Sequence, residues 1–238
     1  MIISLENKKV KEWTKLHNKK YREEEFLLFD EKSIKLAYKK KLLKTLIYVN
    51  ECPFECESSY EVSKDVMNKI SKRENIKYIG VCKKLPNTTN YKNRVLLLDN
   101  VQDPLNLGRI IELCNAFNYD CLLLSENTCD LYHPNCLDAA KDSLFKVSIC
   151  KTNLVTEIQN LKSKGFKIYS TGLSNKTVDI NTIKPHDKMA FVLGNEGSGI
   201  SEEVFNISDK IVKINMDNLD SLNVAMAGSI VLYKFNNL

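Results

Sequence analysis

Met189-Ala190-Phe191-Val192-Leu193 followed by Gly194-Asn195-Glu196-Gly197-Ser198-Gly199 reads as an apolar strand that breaks into a glycine- and amide-rich loop, and Ile200-Ser201-Glu202-Glu203 then starts a helix with Ser201 as cap. The pattern recurs at once. Ile211-Val212-Lys213-Ile214 is a second strand, residues 215–220 are polar, and Ser221-Leu222-Asn223-Val224-Ala225-Met226-Ala227-Gly228 enters another helix. In open parallel sheets ligands sit in the crevice outside the carboxyl ends of the strands, so these two loops are expected to wall a pocket. Glycine lets backbone approach a flat ligand closely, the freed N–H and C=O groups can read the edges of a purine-like ring, and Asn223 adds an amide that both donates and accepts. Taken singly, either loop serves equally well as a plain strand-to-helix turn; it is their pairing that points to a site. Neither G-x-x-x-x-G-K-[ST] nor an opening G-x-G-x-x-G occurs, which argues against a nucleoside triphosphate or a dinucleotide.

Upstream of this stretch the text alternates strands and helices from Arg94 onward. Strands are expected at 95–98, 121–124, 145–147 and 167–170, with helices at 105–118, 137–142 and 154–164. Apolar strands separated by helix-length segments imply an α/β domain, residues 94–238, built on a parallel sheet covered on both faces. In its first helix Pro104 suits the first turn, and Leu107, Ile110, Ile111, Cys114 and Phe117 form a core stripe. Asn106, Arg109 and Glu112, spaced by three, point off that stripe, and their ordinary explanation is a solvated face with an Arg109–Glu112 ion pair.

Residues 1–85 read as a smaller α/β module, with a lysine-laden helix over 5–21, a strand at 25–30, a second lysine-rich helix over 33–43, strands at 46–49 and 79–82, and a helix capped by Ser63. Residues 86–93 have the composition of a linker. Charge divides in the same place: residues 1–94 hold 22 Lys and Arg against 13 Asp and Glu, and the remainder holds 13 against 17. A basic half joined to a mildly acidic one suggests that the first half meets a polyanion, although lysine bias alone would decorate a surface in the same way. The eight cysteines are scattered through apolar text and look like reduced core residues of a cytoplasmic protein. Cys52 and Cys56 form the only close pair and lack two further ligands, so no metal is expected. No histidine has an obvious acid partner. No run of about 18 apolar residues exists, so no membrane span is expected, and the first residues lack the apolar core of a signal peptide.

Three stretches in order, Asn106-Leu107-Gly108, Leu193 to Gly199 and Ser221 to Ala227, resemble the three signature motifs of the SpoU/TrmH family of RNA ribose 2′-O-methyltransferases, members of the SPOUT superfamily. The N-terminal module, with Lys19-Lys20-Tyr21-Arg22 leading into Phe26 to Asp30, is similar to the substrate-binding domain that many members carry. The resemblance implies a C-terminal parallel-sheet domain whose chain threads a trefoil knot, preceded by a small α/β RNA-binding domain. It implies S-adenosylmethionine as cofactor, structured RNA (rRNA or tRNA) as substrate, and a homodimer with sites completed across the interface. Mapped residue by residue, it assigns cofactor binding to Thr171, Gly172, Leu193, Gly194, Asn195, Gly197, Ile214, Met216, Ser221, Leu222 and Asn223. Asn106, Glu196 and Asn223 match active-site positions.

There are two departures from the family pattern. The family usually has an arginine six residues after the first-motif asparagine, and Glu112 stands there. Arg109 lies one turn earlier, about 60° round the helix and about 4.5 Å along its axis, within the reach of a long guanidinium. Because a guanidinium stays protonated, its expected part is to clamp phosphate and stabilise developing oxyanion charge, which Arg109 can supply. The second departure is Ala140-Lys141-Asp142-Ser143, where relatives usually have a small residue and a glycine. The rival reading is a homologue that binds cofactor and RNA but has lost transfer activity.

Overall fold

The computed structural model describes residues 1–54, 56, 58–174, 177–219 and 221–236; Asp220, in the second of the two loops, lies outside them. The chain forms two compact units, Met1–Leu85 together with Tyr132–Phe145, and Pro86–Leu131 together with Lys146–Leu238. The segment 132–145, which the sequence places in the second domain, thus groups with the first unit.

The first unit carries a four-stranded sheet. Its strands β1 (Glu25–Leu28), β2 (Leu43–Tyr48), β3 (Ser59–Glu61) and β4 (Tyr78–Lys83) lie in the order β1-β4-β2-β3, with β4 antiparallel to both neighbours and β3 parallel to β2. Helices α1 (Lys8–Lys15) and α3 (Lys64–Ser71) cover one face through Val10, Trp13, Val66, Met67 and Ile70, packed on Leu27, Ile47, Ile79 and Val81. The first expected helix is shorter than its text: α1 ends at Lys15, and only a 3-10 turn over Lys19–Tyr21 follows. Helix α2 (Glu31–Lys39) is capped by Asp30, the last residue of the strand expected at 25–30, whose carboxylate accepts from the Ser33 N–H at 2.8 Å.

In the second unit, β5 (Arg94–Leu98), α4 (Pro104–Ala116), β6 (Cys121–Leu124), β7 (Ser148–Lys151), α6 (Leu154–Ser163), β8 (Lys167–Thr171), β9 (Val178–Asp179), β10 (Met189–Leu193), α7 (Glu202–Ile207), β11 (Lys210–Lys213) and α8 (Val224–Lys234) follow in order; α5 (Pro134–Ala140) belongs to the first. The sheet order is β7-β6-β5-β10-β8-β11-β9, and every pairing is parallel. Every residue of β5, β6 and β10 is buried, which is why, Arg94 apart, their text is continuously apolar. The strand expected at 145–147 falls elsewhere: Phe145 ends a 3-10 turn and the strand pairing with β6 is Ser148–Lys151. Residues 86–93 contain no helix or strand, yet Asn87 accepts from the Lys151 N–H at 2.7 Å and donates to its carbonyl at 3.0 Å, binding this stretch to the edge of β7. Cys82, Cys114, Cys121, Cys136 and Cys150 are buried free thiols.

Candidate active site

The carboxyl ends of β8, β10 and β11 converge, and the loops leaving them enclose a cavity of about 360 Å³. Thr171, Gly172, Gly194, Asn195, Glu196, Gly197, Ile214, Met216, Ser221 and Leu222 line it. Leu173, Ser198, Gly199, Val212, Lys213, Val224 and Ala227, which the resemblance does not assign to the cofactor, line it too. Leu193 and Asn223, also assigned to the cofactor, are not among the lining residues. Leu193 is fully buried at the end of β10, its carbonyl accepting from the Asp99 N–H at 2.9 Å.

The first loop is folded on itself. Asn195 and Gly199 exchange backbone hydrogen bonds at 2.8 and 3.0 Å, and the Asn195 side-chain oxygen accepts from the N–H groups of Gly197 and Ser198, each at 2.9 Å. Gly199 closes this hairpin with φ +72°, a left-handed conformation that glycine adopts without strain. Asn195 Nδ2 also reaches the Asn100 carbonyl at 2.8 Å, tying the loop to the end of β5.

A chain of amides connects the second loop to the first. Asn223 caps α8 by accepting from the Ala225 N–H at 2.9 Å and donates Nδ2 to Asn106 Oδ1 at 3.0 Å. Asn106, 3% exposed in the first turn of α4, donates its own Nδ2 to Glu196 Oε1 at 3.1 Å. Glu196 further accepts from the backbone N–H groups of Gln102 at 3.0 Å and Asp103 at 3.1 Å. Both ends of the Asn106 amide are therefore used within the protein. These contacts fix the loop against α4. Sequence reasoning missed Gln102, whose backbone N–H supports Glu196 and whose side chain holds Asn100 and the Asn127 carbonyl; a backbone donor leaves no residue-type signal.

Burial alone would raise the Glu196 carboxyl, but the donors from Gln102, Asn106, its own amide and Asp103 outweigh it and hold the group below its ordinary value. Glu196 is thus an ionised acceptor. A depressed carboxylate contributes its stabilisation above the unfolded pKa and loses it as pH falls through the folded one. The loop, and with it ligand affinity at this cavity, is expected to be level between about pH 6 and 8 and to weaken only below the ordinary glutamate value of about 4.3; calorimetric titration across this range would expose any titration of Glu196 near neutrality.

Arg109 and Glu112 are exposed on α4. Among the described residues they form no ion pair with each other, so the guanidinium is left unengaged rather than clamped by Glu112. Lys141, in the second departure from the family pattern, has φ +49°, a conformation where glycine costs nothing.

Loops at adjacent strand ends of an all-parallel sheet line this cavity, the place where such sheets hold ligands, and the comparisons give the class. Residues 93–233 match the SpoU rRNA Methylase family, and the chain belongs to that family. It is an S-adenosylmethionine-dependent RNA methyltransferase. It is 31% identical over 242 residues to the 23S rRNA (guanosine(2553)-2′-O)-methyltransferase RlmP of Bacillus subtilis, covering 98% of this chain and 97% of that protein. The AdoMet-bound rRNA methyltransferase from Sinorhizobium meliloti is similar at TM-score 0.89 and 25% identity, covering 98% and 95% of the two chains. AviRb from Streptomyces viridochromogenes, a SpoU methyltransferase in complex with AdoMet, shares the fold at TM-score 0.84 and 20% identity, covering 96% of each. No helix of the described residues is long and apolar enough to cross a membrane.

Proposed function

We propose that the chain methylates a ribose 2′-hydroxyl of ribosomal RNA, with S-adenosylmethionine held in the cavity of about 360 Å³. The observation that carries this reading is the Asn223–Asn106–Glu196 chain, which locks two strand-end loops together around that cavity. The residues present suit the cofactor: glycine backbone and amides for the adenine edges, Leu173, Ile214, Met216 and Leu222 for apolar surface, and an ionised carboxylate at the rim for a cation. When bound, S-adenosylmethionine supplies a methyl carbon on a sulfonium whose bonding pair stays with sulfur. The protein must then align the ribose oxygen behind that carbon and neutralise charge as the hydroxyl proton leaves. Arg109 is the group we assign to that task, holding a phosphate and the developing oxyanion, while Asn106, Glu196 and Asn223 act as positioning residues. The route of the chain through β10, β11 and α8 is read as the family's trefoil knot. Residues 1–85 are read as the RNA-docking domain, and the protein as cytoplasmic. Calorimetric titration with S-adenosylmethionine, followed by a labelled-methyl assay on ribosomal RNA with the product nucleoside identified, tests the reading; methyl on a base, or no cofactor heat, would refute it.

We also assign a homodimer. On α8, Met226, Ile230 and Tyr233 are 58%, 39% and 69% exposed on one stripe, Leu105 of α4 is 38% exposed, and Phe117 meets Tyr233 edge-on at 6.0 Å. Arg109 lies on the same pair of helices, where a second copy would bring it a partner site. Ile230→Glu is expected to convert the protein to a monomer in analytical ultracentrifugation and to reduce methyl transfer with it; a wild-type chain that sediments as a monomer refutes the assignment.

A further inference from the structure

Two cavities in the first unit meet at one residue. The larger, about 1110 Å³, is lined among others by Tyr38, Lys39, Lys41, Lys44 and Lys83. The other, about 350 Å³, is lined by Lys9, Lys15, Tyr21 and again Lys44. The strand register explains the sharing. Glu25 pairs with Lys83 and Leu43 with Cys82, but the β2–β4 register slips between Leu43 and Thr45, so Lys44 sits in a bulge. Bulges re-aim side chains, and this one places Lys44 against both cavities at the end of the sheet where β1 and β2 begin and β4 finishes. Lys44 is paired with Glu25. Among the described residues Lys39, Lys41 and Lys83 form no ion pair.

The six lysines face only Glu12 and Glu25 among the described lining residues. Flat rings stand beside them: Tyr21 and Tyr38 are 44% and 43% exposed. The Lys15 and Lys20 ammonium groups lie 5.5 and 4.8 Å from the centre of the Tyr21 ring, and Tyr38 leans on Phe54 at 4.8 Å. Cations spaced along a groove suit a polyanion, and exposed rings between them suit bases whose faces are open. A duplex hides those faces, and an RNA duplex also keeps its major groove too narrow to read. We infer that this groove binds unpaired RNA, with lysines on successive phosphates and Tyr21 and Tyr38 stacked on bases. The inference deepens the proposed function and rests on its reading that the first unit meets RNA.

Fluorescence anisotropy of the full chain with a labelled oligouridylate of about 12 nucleotides, and with an RNA duplex of the same length, tests this over a salt series. The Lys39→Ala/Lys41→Ala/Lys83→Ala variant is expected to flatten the slope of log K against log salt by about 2, from three lost single-strand phosphate contacts. Tyr38→Leu is expected to weaken the single strand about tenfold at unchanged slope. Lys167→Ala/Lys184→Ala/Lys210→Ala, which removes the same charge from the second unit, is expected to leave the slope near wild type. Equal flattening by the two triple variants, or a duplex bound as tightly as the single strand, overturns the groove. A wild-type chain that transfers methyl while the groove variants bind RNA unchanged defeats the groove alone; a wild-type chain that neither binds RNA nor transfers methyl defeats the proposed function itself.

Discussion

Gly194→Ala is expected to weaken cofactor binding by up to about two orders of magnitude. A Cβ at that position would lie 2.3 Å from the Gly199 carbonyl carbon, 2.4 Å from the Ile200 nitrogen and 2.6 Å from the Gly199 oxygen, all backbone atoms that no rotamer change can clear. The loop must open, breaking the two Asn195–Gly199 hydrogen bonds that shape the cavity wall. Overpacking of this kind costs about 1–3 kcal/mol, and if that strain falls on the liganded loop, affinity drops by roughly 5- to 150-fold. Gly197→Ala provides the contrast, since its Cβ would meet only the Asn195 side-chain oxygen at 3.6 Å; affinity within a few-fold of wild type is expected. Calorimetric titration of both variants with S-adenosylmethionine decides it, and equal affinities would show that the loop is not the wall of the cofactor site.

Arg109→Ala is expected to reduce methyl transfer roughly 100- to 1000-fold, the usual cost of removing one preorganised charge from a developing oxyanion. Cofactor affinity should stay within a few-fold, because Arg109 does not line the cavity. Arg109→Lys is expected to recover only part of the rate, since a point charge lacks the planar fork that holds phosphate at two points. Glu112→Arg, which restores the family's usual residue, is the complementary experiment. Unchanged turnover in Arg109→Ala together with a gain in Glu112→Arg would move the charge from Arg109 to position 112.

Much of this arrangement could be read from residue order. Gly194-Asn195-Glu196-Gly197 and Ser221-Leu222-Asn223 are separated strand-end motifs, and the structure brings them to one cavity because β10 and β11 both flank β8. The apolar runs of β5, β6 and β10 announce buried parallel strands for the same reason that they fold as such: both faces are covered. What could not be read is carried by groups without residue identity. The N–H groups of Gln102 and Asp103 and the Asn100 carbonyl hold the site, and any residue could supply them. Phe145-Lys146-Val147 alternates as an edge strand does, but its two apolar side chains are buried either side of the point where a 3-10 turn hands over to β7. Residues 132–145 show no compositional break, so their grouping with the first unit follows from packing alone, such as Phe26 against Tyr132 at 4.5 Å.

The place of β10 in the second sheet has a consequence for biogenesis. Its neighbours β5 and β8 end at Leu98 and Thr171, yet neither acquires its shared partner until Met189–Leu193 has been synthesised. A ribosome that has passed residue 171 therefore displays β5 and β8 with unpaired edges and a gap between them, including the apolar Val95–Leu98, a state prone to association with other chains. The first sheet repeats the pattern over a shorter span, since β4 (Tyr78–Lys83) enters between β1 and β2. In the interval between residues 171 and 193 the nascent polypeptide is thus open to pairing with other chains, and a chaperone that shields these edges would act there.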